Sequence, residues 1–144
     1  MTLQETERIL VRLGGTLVVL AMTTGLLIGL FPEVELILSA HVAANTAGIF
    51  MIAVAGVVGK LALSDNERRW LVRTLAGSGY LNWAATLLGA WLKTNRLTPV
   101  HGEGGAGLAS EAVVAVLLGT MVVCTFVSLG LLLRGTRTPT PSSG

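Results

Sequence analysis

Leu36-Ile-Leu-Ser-Ala-His41-Val-Ala-Ala-Asn45-Thr-Ala-Gly48-Ile-Phe-Met-Ile-Ala-Val-Ala-Gly-Val-Val-Gly59 runs for 24 residues without an Asp, Glu, Lys or Arg. A helix needs about 20 apolar residues to cross a bilayer, so this stretch can span one. Three further uncharged stretches flank it: Leu13 to Phe31, Thr74 to Leu92 and Ala112 to Leu133. The spacing predicts helices over about 13–31, 36–60, 72–92 and 111–134. β-barrel strands would be about ten residues long with strict alternation, and that pattern is absent. The expected fold is an all-α integral membrane protein, a bundle of four transmembrane helices.

Composition agrees. Of 144 residues, 52% are hydrophobic and 12% charged, with mean hydropathy +0.74. Soluble domains carry about 25% charged residues. The first stretch follows a polar, partly acidic segment (Gln4, Glu5, Glu7) and exceeds the usual signal-peptide core, so it is expected to be a retained helix.

Orientation follows from basic residues near helix ends. One side carries Arg8, Arg12, Lys60, Arg68, Arg69, Arg73, Arg134 and Arg137; the other carries Lys93 and Arg96. Both termini are therefore expected to be cytoplasmic, in a multi-pass protein of the inner (plasma) membrane. The net charge of +2 reflects this asymmetry and gives no reason to expect nucleic acid as a partner.

Residues 1–134 read as one membrane domain. The turn Phe31-Pro32-Glu33 makes the first two helices antiparallel neighbours. Ser64 and Glu67 form a capping-box pattern for the third helix. Residues 135–144, rich in Thr, Pro and Ser, are expected to be a disordered cytoplasmic tail. Gly102-Glu103-Gly104-Gly105-Ala106-Gly107 matches a dinucleotide-binding pattern, but it lacks the preceding strand and βαβ unit that the motif needs. It reads as a loop before a helix capped by Ser110. His101, in the same link, is expected to be solvated.

His41 is the informative residue. An ionisable group at membrane depth is costly and marks a functional site by default. Hydrogen bonding to a neighbouring helix is the plain alternative. Asn45 lies one turn along on the same face, and Gly48 one turn further, where a small residue admits a flat ligand or a second helix. The third helix carries Ser78, Asn82 and Thr86 at four-residue spacing, flanked by Tyr80 and Trp83. Hydroxyls of Thr23, Thr24, Thr120 and Ser128 can bond back to their own helices. Gly25 and Gly29, Ala43 and Ala47, and Ala85 and Gly89 favour close helix packing, within or between subunits. The lone Cys124 excludes an internal disulfide and reads as a small buried hydrophobe. With one intramembrane histidine, a metal needing several protein ligands is poorly served. A porphyrin brings four ligands of its own, which raises haem above zinc or copper.

The order Ala40-His41, Met51-Ile52-Ala53-Val54-Ala55, Gly79-Tyr80-Leu81-Asn82 and Asn95-Arg96-Leu97 resembles the styrene oxide isomerase family. The resemblance implies a four-helix membrane protein, assembled as a homotrimer, that binds haem b through His41 as the axial metal ligand. It further implies that ferric iron acts as a Lewis acid on the oxygen of a small lipophilic epoxide, giving an aldehyde. Asn45, Asn82 and Thr86 are then the candidate catalytic contacts. Gly48, Tyr80 and Trp83 are the candidates for lining the cofactor. Two departures stand out. The family has a tyrosine where this chain has Thr86, and its second-helix asparagine falls where this chain has Ala47. Haem-dependent redox or oxygen transfer on a lipophilic metabolite, and a non-enzymatic assembly or transport subunit, remain alternatives.

Overall fold

The computed structural model describes residues 1–30, 34–97 and 106–137. Among them are four α-helices: α1 (Leu3–Leu26), α2 (Val34–Val57), α3 (Asp65–Leu92) and α4 (Leu108–Gly135). Single 3₁₀ turns follow α1 at Ile28–Leu30 and α2 at Val58–Lys60. The Phe31–Glu33 turn, His101, most of the glycine-rich loop and the tail from residue 138 lie outside the described residues.

Three helix starts differ from the sequence reading by three residues or more, each for a local reason, and α1 ends five residues early, at Leu26. α1 begins ten residues earlier than expected, because Thr2 and Glu5 form a reciprocal capping box that starts a helix in the polar lead-in. α3 begins at Asp65, directly after the Ser64–Glu67 capping box that the sequence announces. α4 is capped at Gly107 without a side-chain bond, and Ser110 lies inside its first turn. Glu111 turns away instead. Its buried carboxylate accepts from the backbone N–H groups of Asn95 (2.9 Å) and Arg96 (3.4 Å), tying the exit of α3 to the entry of α4.

Successive helices are neighbours, with α1 on α2, α2 on α3 and α3 on α4. Glycine permits the tightest crossing. A Cβ on Gly14 would lie 2.6 Å from the Gly48 carbonyl oxygen, and one on Gly48 2.7 Å from that of Gly14. The α1–α2 backbones therefore touch where no side chain fits. Gly79 is the matching concession on α3, receiving the tips of Met51 and Leu17. Around these points Leu10, Leu17, Ala44, Met51, Leu71 and Leu75 form the core.

Outside the core the surface is apolar: Val19, Ile49, Val116, Phe126 and Leu133 are all largely exposed. In water this would be an aggregation hazard; in hydrocarbon it is the expected exterior. Three segments are long and apolar enough to cross a membrane: Leu3–Leu26, Val34–Lys60 and Leu108–Gly135. With 28 residues α3 is long enough, about 42 Å, but its polar stripe lowers its apolarity.

The eight basic residues assigned to one side share one end of the bundle. There Arg134 pairs with Glu67 (3.1 Å), Arg68 pairs with Asp65, and the Ala62 N–H donates to the Gly135 carbonyl (2.8 Å).

Candidate functional site

His41 lies on the α2 stripe that faces α1, two turns before the Gly48 crossing. Its Nδ1 is 2.7 Å from the backbone carbonyl oxygen of Ala21. A carbonyl can only accept, so Nδ1 carries the proton and donates. In the neutral ring, Nε2 then holds a lone pair. A ligating histidine shows this arrangement, one nitrogen fixed by a backbone carbonyl and the other free to bind metal. The ring reaches α1 because Gly25 has no side chain. A Cβ there would lie 2.7 Å from Nδ1 and 2.9 Å from Cε1. Of the Gly25 and Gly29 pair, only Gly25 makes a close approach; nothing lies within 4 Å of a Cβ on Gly29.

The same patch of α1 is braced by α3. Trp83 Nε1 donates to Thr24 Oγ1 (3.0 Å), and the Thr24 hydroxyl donates to the Leu20 carbonyl (2.8 Å). About three turns back along α1 from Thr24, the Tyr80 hydroxyl donates to the Leu13 carbonyl (2.9 Å). Tyr80 and Trp83 thus point their polar atoms at α1 and hold it against the bundle.

Gly48 is buried against Gly14 and Val18, so the neighbouring helix takes the space before it. Asn45 is half-buried at the edge of the His41 stripe. Ile37 and Ala90 share one apolar cluster, and Gly79 sits beside Ala47 and Met51. That antiparallel register puts Thr86 at the depth of His41 and Asn82 at the depth of Asn45. Depth is shared but side is not. Asn82 follows Ser78 by one turn, and Ser78 Oγ faces α4 at 2.6 Å from Thr125 Oγ1. No described hydrogen bond joins His41, Asn45 and Asn82, and neither amide has a partner among the described residues. The Thr86 hydroxyl donates to its own helix, at the Asn82 carbonyl (2.8 Å).

Sequence reasoning singled out the imidazole but missed its support. Nothing in a sequence marks the Ala21 carbonyl as a partner. Gly25 was visible only as a generic small residue. The Thr24 and Trp83 pairing has no local signature, since the two residues lie 59 positions apart.

No group of three His, Cys, Asp or Glu side chains able to hold a metal occurs among the described residues. What the fold and site define is a helical membrane protein that presents one oriented imidazole at membrane depth. The chain belongs to the styrene oxide isomerase family, whose model matches residues 6–137. It is also 30% identical to the hydroxylaminobenzene mutase HabB of Ectopseudomonas oleovorans, over 95% of this chain and 89% of that relative. No solved structure matches the chain. These similarities make it a membrane isomerase or mutase, as the motif order around His41 led one to expect.

Proposed function

We propose that this protein is a haem b-dependent isomerase of small lipophilic aromatic substrates whose oxygen sits on an activated carbon or nitrogen. The observation that carries the reading is the His41 hydrogen bond to the Ala21 carbonyl, which leaves Nε2 as the free donor. The donor set fits the group: one oriented imidazole suits a macrocycle that brings its own four ligands. When bound, the haem would supply a Lewis-acidic iron for a substrate oxygen.

The chain's residues do the rest. His41 holds the iron, and Gly25, Thr24 and Trp83 fix its orientation through α1. The amides of Asn45 and Asn82 offer donors to the substrate oxygen. Apolar walls keep water from an electron-poor centre, so the product is the rearranged substrate rather than a diol. An isomerisation consumes no oxidant, reductant or water, which suits a site with no metal-holding cluster of His, Cys, Asp or Glu among the described residues. Asn45 and Asn82 occupy different sides of one subunit, which favours a site completed between subunits of a homotrimer. α3 is the fourth membrane span, both termini face the cytoplasm, and the membrane is the inner (plasma) membrane.

Epoxide opening to an aldehyde is the first reading, from the family. A second, rearrangement of an arylhydroxylamine, is favoured by the mutase relative. Thr86 favours it too, because its hydroxyl proton is engaged by its own helix and a tyrosine's reach is missing. Haem-loaded protein should be assayed on paired panels of aryl epoxides and arylhydroxylamines, without added reductant. Turnover of one panel to an isomeric product is expected. Failure on both, with haem bound, would sink the isomerase reading.

A further inference from the structure

At the basic end of the bundle a groove of about 460 Å³ opens between α1 and α3, on the side away from α2. Ile9 and buried Val72 form its floor, and Arg69 and Arg73 stand on its wall. A second hollow of about 310 Å³ continues it along α1, sharing Ile9 and adding Arg12. None of the three arginines has a carboxylate within ion-pair distance among the described residues. Glu5 is the one acid on the groove; its carboxylate accepts from the Thr2 N–H (2.9 Å) and only weakly feels the charge of Arg69, beyond ion-pair distance. Arg73 packs over the ring of half-exposed Trp70, 5.9 Å from its centroid, as at a membrane–water boundary.

We propose that this groove binds the phosphate headgroup of an anionic phospholipid, with an acyl chain laid along its apolar floor. Arg69 and Arg73 on the groove suit a phosphodiester anion, and Arg12 adds a third guanidinium in the adjoining hollow. The floor runs on past Leu13 toward the membrane interior, where a free phosphate would have nothing to fill it. A second copy of this chain fits poorly. Copies inserted in one orientation bring the same end to the same depth, where basic residues outnumber acidic ones, so the facing surface would repel Arg69 and Arg73. The function of this site is structural: it would fasten α1 to α3, the adjoining pair that touches least.

The test uses the full-length protein in neutral detergent, by native mass spectrometry and thermal unfolding. Phosphatidylglycerol, phosphatidylcholine and inorganic phosphate are added separately. Phosphatidylglycerol should be retained and should raise the melting temperature, while the other two leave it unchanged. Each arginine removed should weaken retention about fivefold, and Arg69→Gln with Arg73→Gln about 25-fold together. Should that double variant fail to fold, Arg12→Gln alone should still show the fivefold loss. Equal stabilisation by phosphatidylcholine, or undiminished retention by the variants, would overturn the proposal. Equal stabilisation by inorganic phosphate would also overturn it, by reducing the site to a free-anion pocket.

Discussion

Replacing Gly25 with Ala should loosen His41, the proposed haem ligand, without changing that residue. The added Cβ would lie 2.7 Å from Nδ1 and 2.9 Å from Cε1, where ordinary contact needs about 3.5 Å. The ring must retreat by roughly 0.8 Å. The 2.7 Å bond to the Ala21 carbonyl would then stretch to about 3.5 Å, where little of it survives. Its loss costs about 1 kcal/mol, and the overpacking about 1–3 kcal/mol more. Alanine's better helix propensity returns about 1 kcal/mol. The net destabilisation should be about 1–3 kcal/mol, and an unbraced ligand should weaken haem affinity about 10–100-fold. Gly15→Ala is the control, since nothing lies within 4 Å of its Cβ. Haem titration of both variants, with thermal unfolding, separates the effects. If Gly25→Ala binds haem as tightly as Gly15→Ala, the cradle argument is wrong.

Other consequences are equally specific. Gly48→Ala should destabilise more than Gly79→Ala, because its Cβ meets a backbone oxygen at 2.7 Å while that of Gly79 meets the flexible end of Met51. We expect Gly79→Ala to cost about 1–3 kcal/mol, read by thermal unfolding in detergent. Trp83→Phe keeps an aromatic ring, though a smaller one, and loses the bond to Thr24, costing about 1 kcal/mol for the bond with some lost packing besides, and broadening the haem spectrum. At the basic end, the Ser64 hydroxyl and backbone N–H hold the Glu67 carboxyl below the usual carboxylate range. A depressed folded-state value means its stabilisation is present above about pH 4.3 and is lost as pH falls through the folded value. Glu67→Gln should flatten the acid limb of a stability–pH curve below about pH 4, while leaving the cap itself in place.

Features of this protein are legible in its sequence where their signal is local. Apolar run length is local and cumulative, so four helices could be read directly. The Ser64–Glu67 box was legible for the same reason, yet the apolar run drew that helix only from residue 72, and α3 starts at Asp65. The Thr2–Glu5 box is as readable, but the apolar-run criterion passes over a polar lead-in, so α1 was drawn too short. His41 stood out because a titratable group in hydrocarbon is rare. Its bond to Ala21 did not, because backbone acceptors carry no sequence identity. Gly48 shows the limit of face arguments: the spacing allowed either a ligand or a helix, and only the position of Gly14 on α1 decides. Asn45 and Asn82 were grouped by type and depth, yet helix azimuth sets them on different sides of the subunit.

His41 is proposed to hold the haem through Nε2, and the visible absorbance spectrum of the purified protein tests this most directly. The wild type should show a Soret band, His41→Ala should lose or shift it, and added imidazole should restore it to the variant. A folded wild type that stays colourless after haem is supplied, or a His41→Ala spectrum identical to the wild type's, would contradict the account.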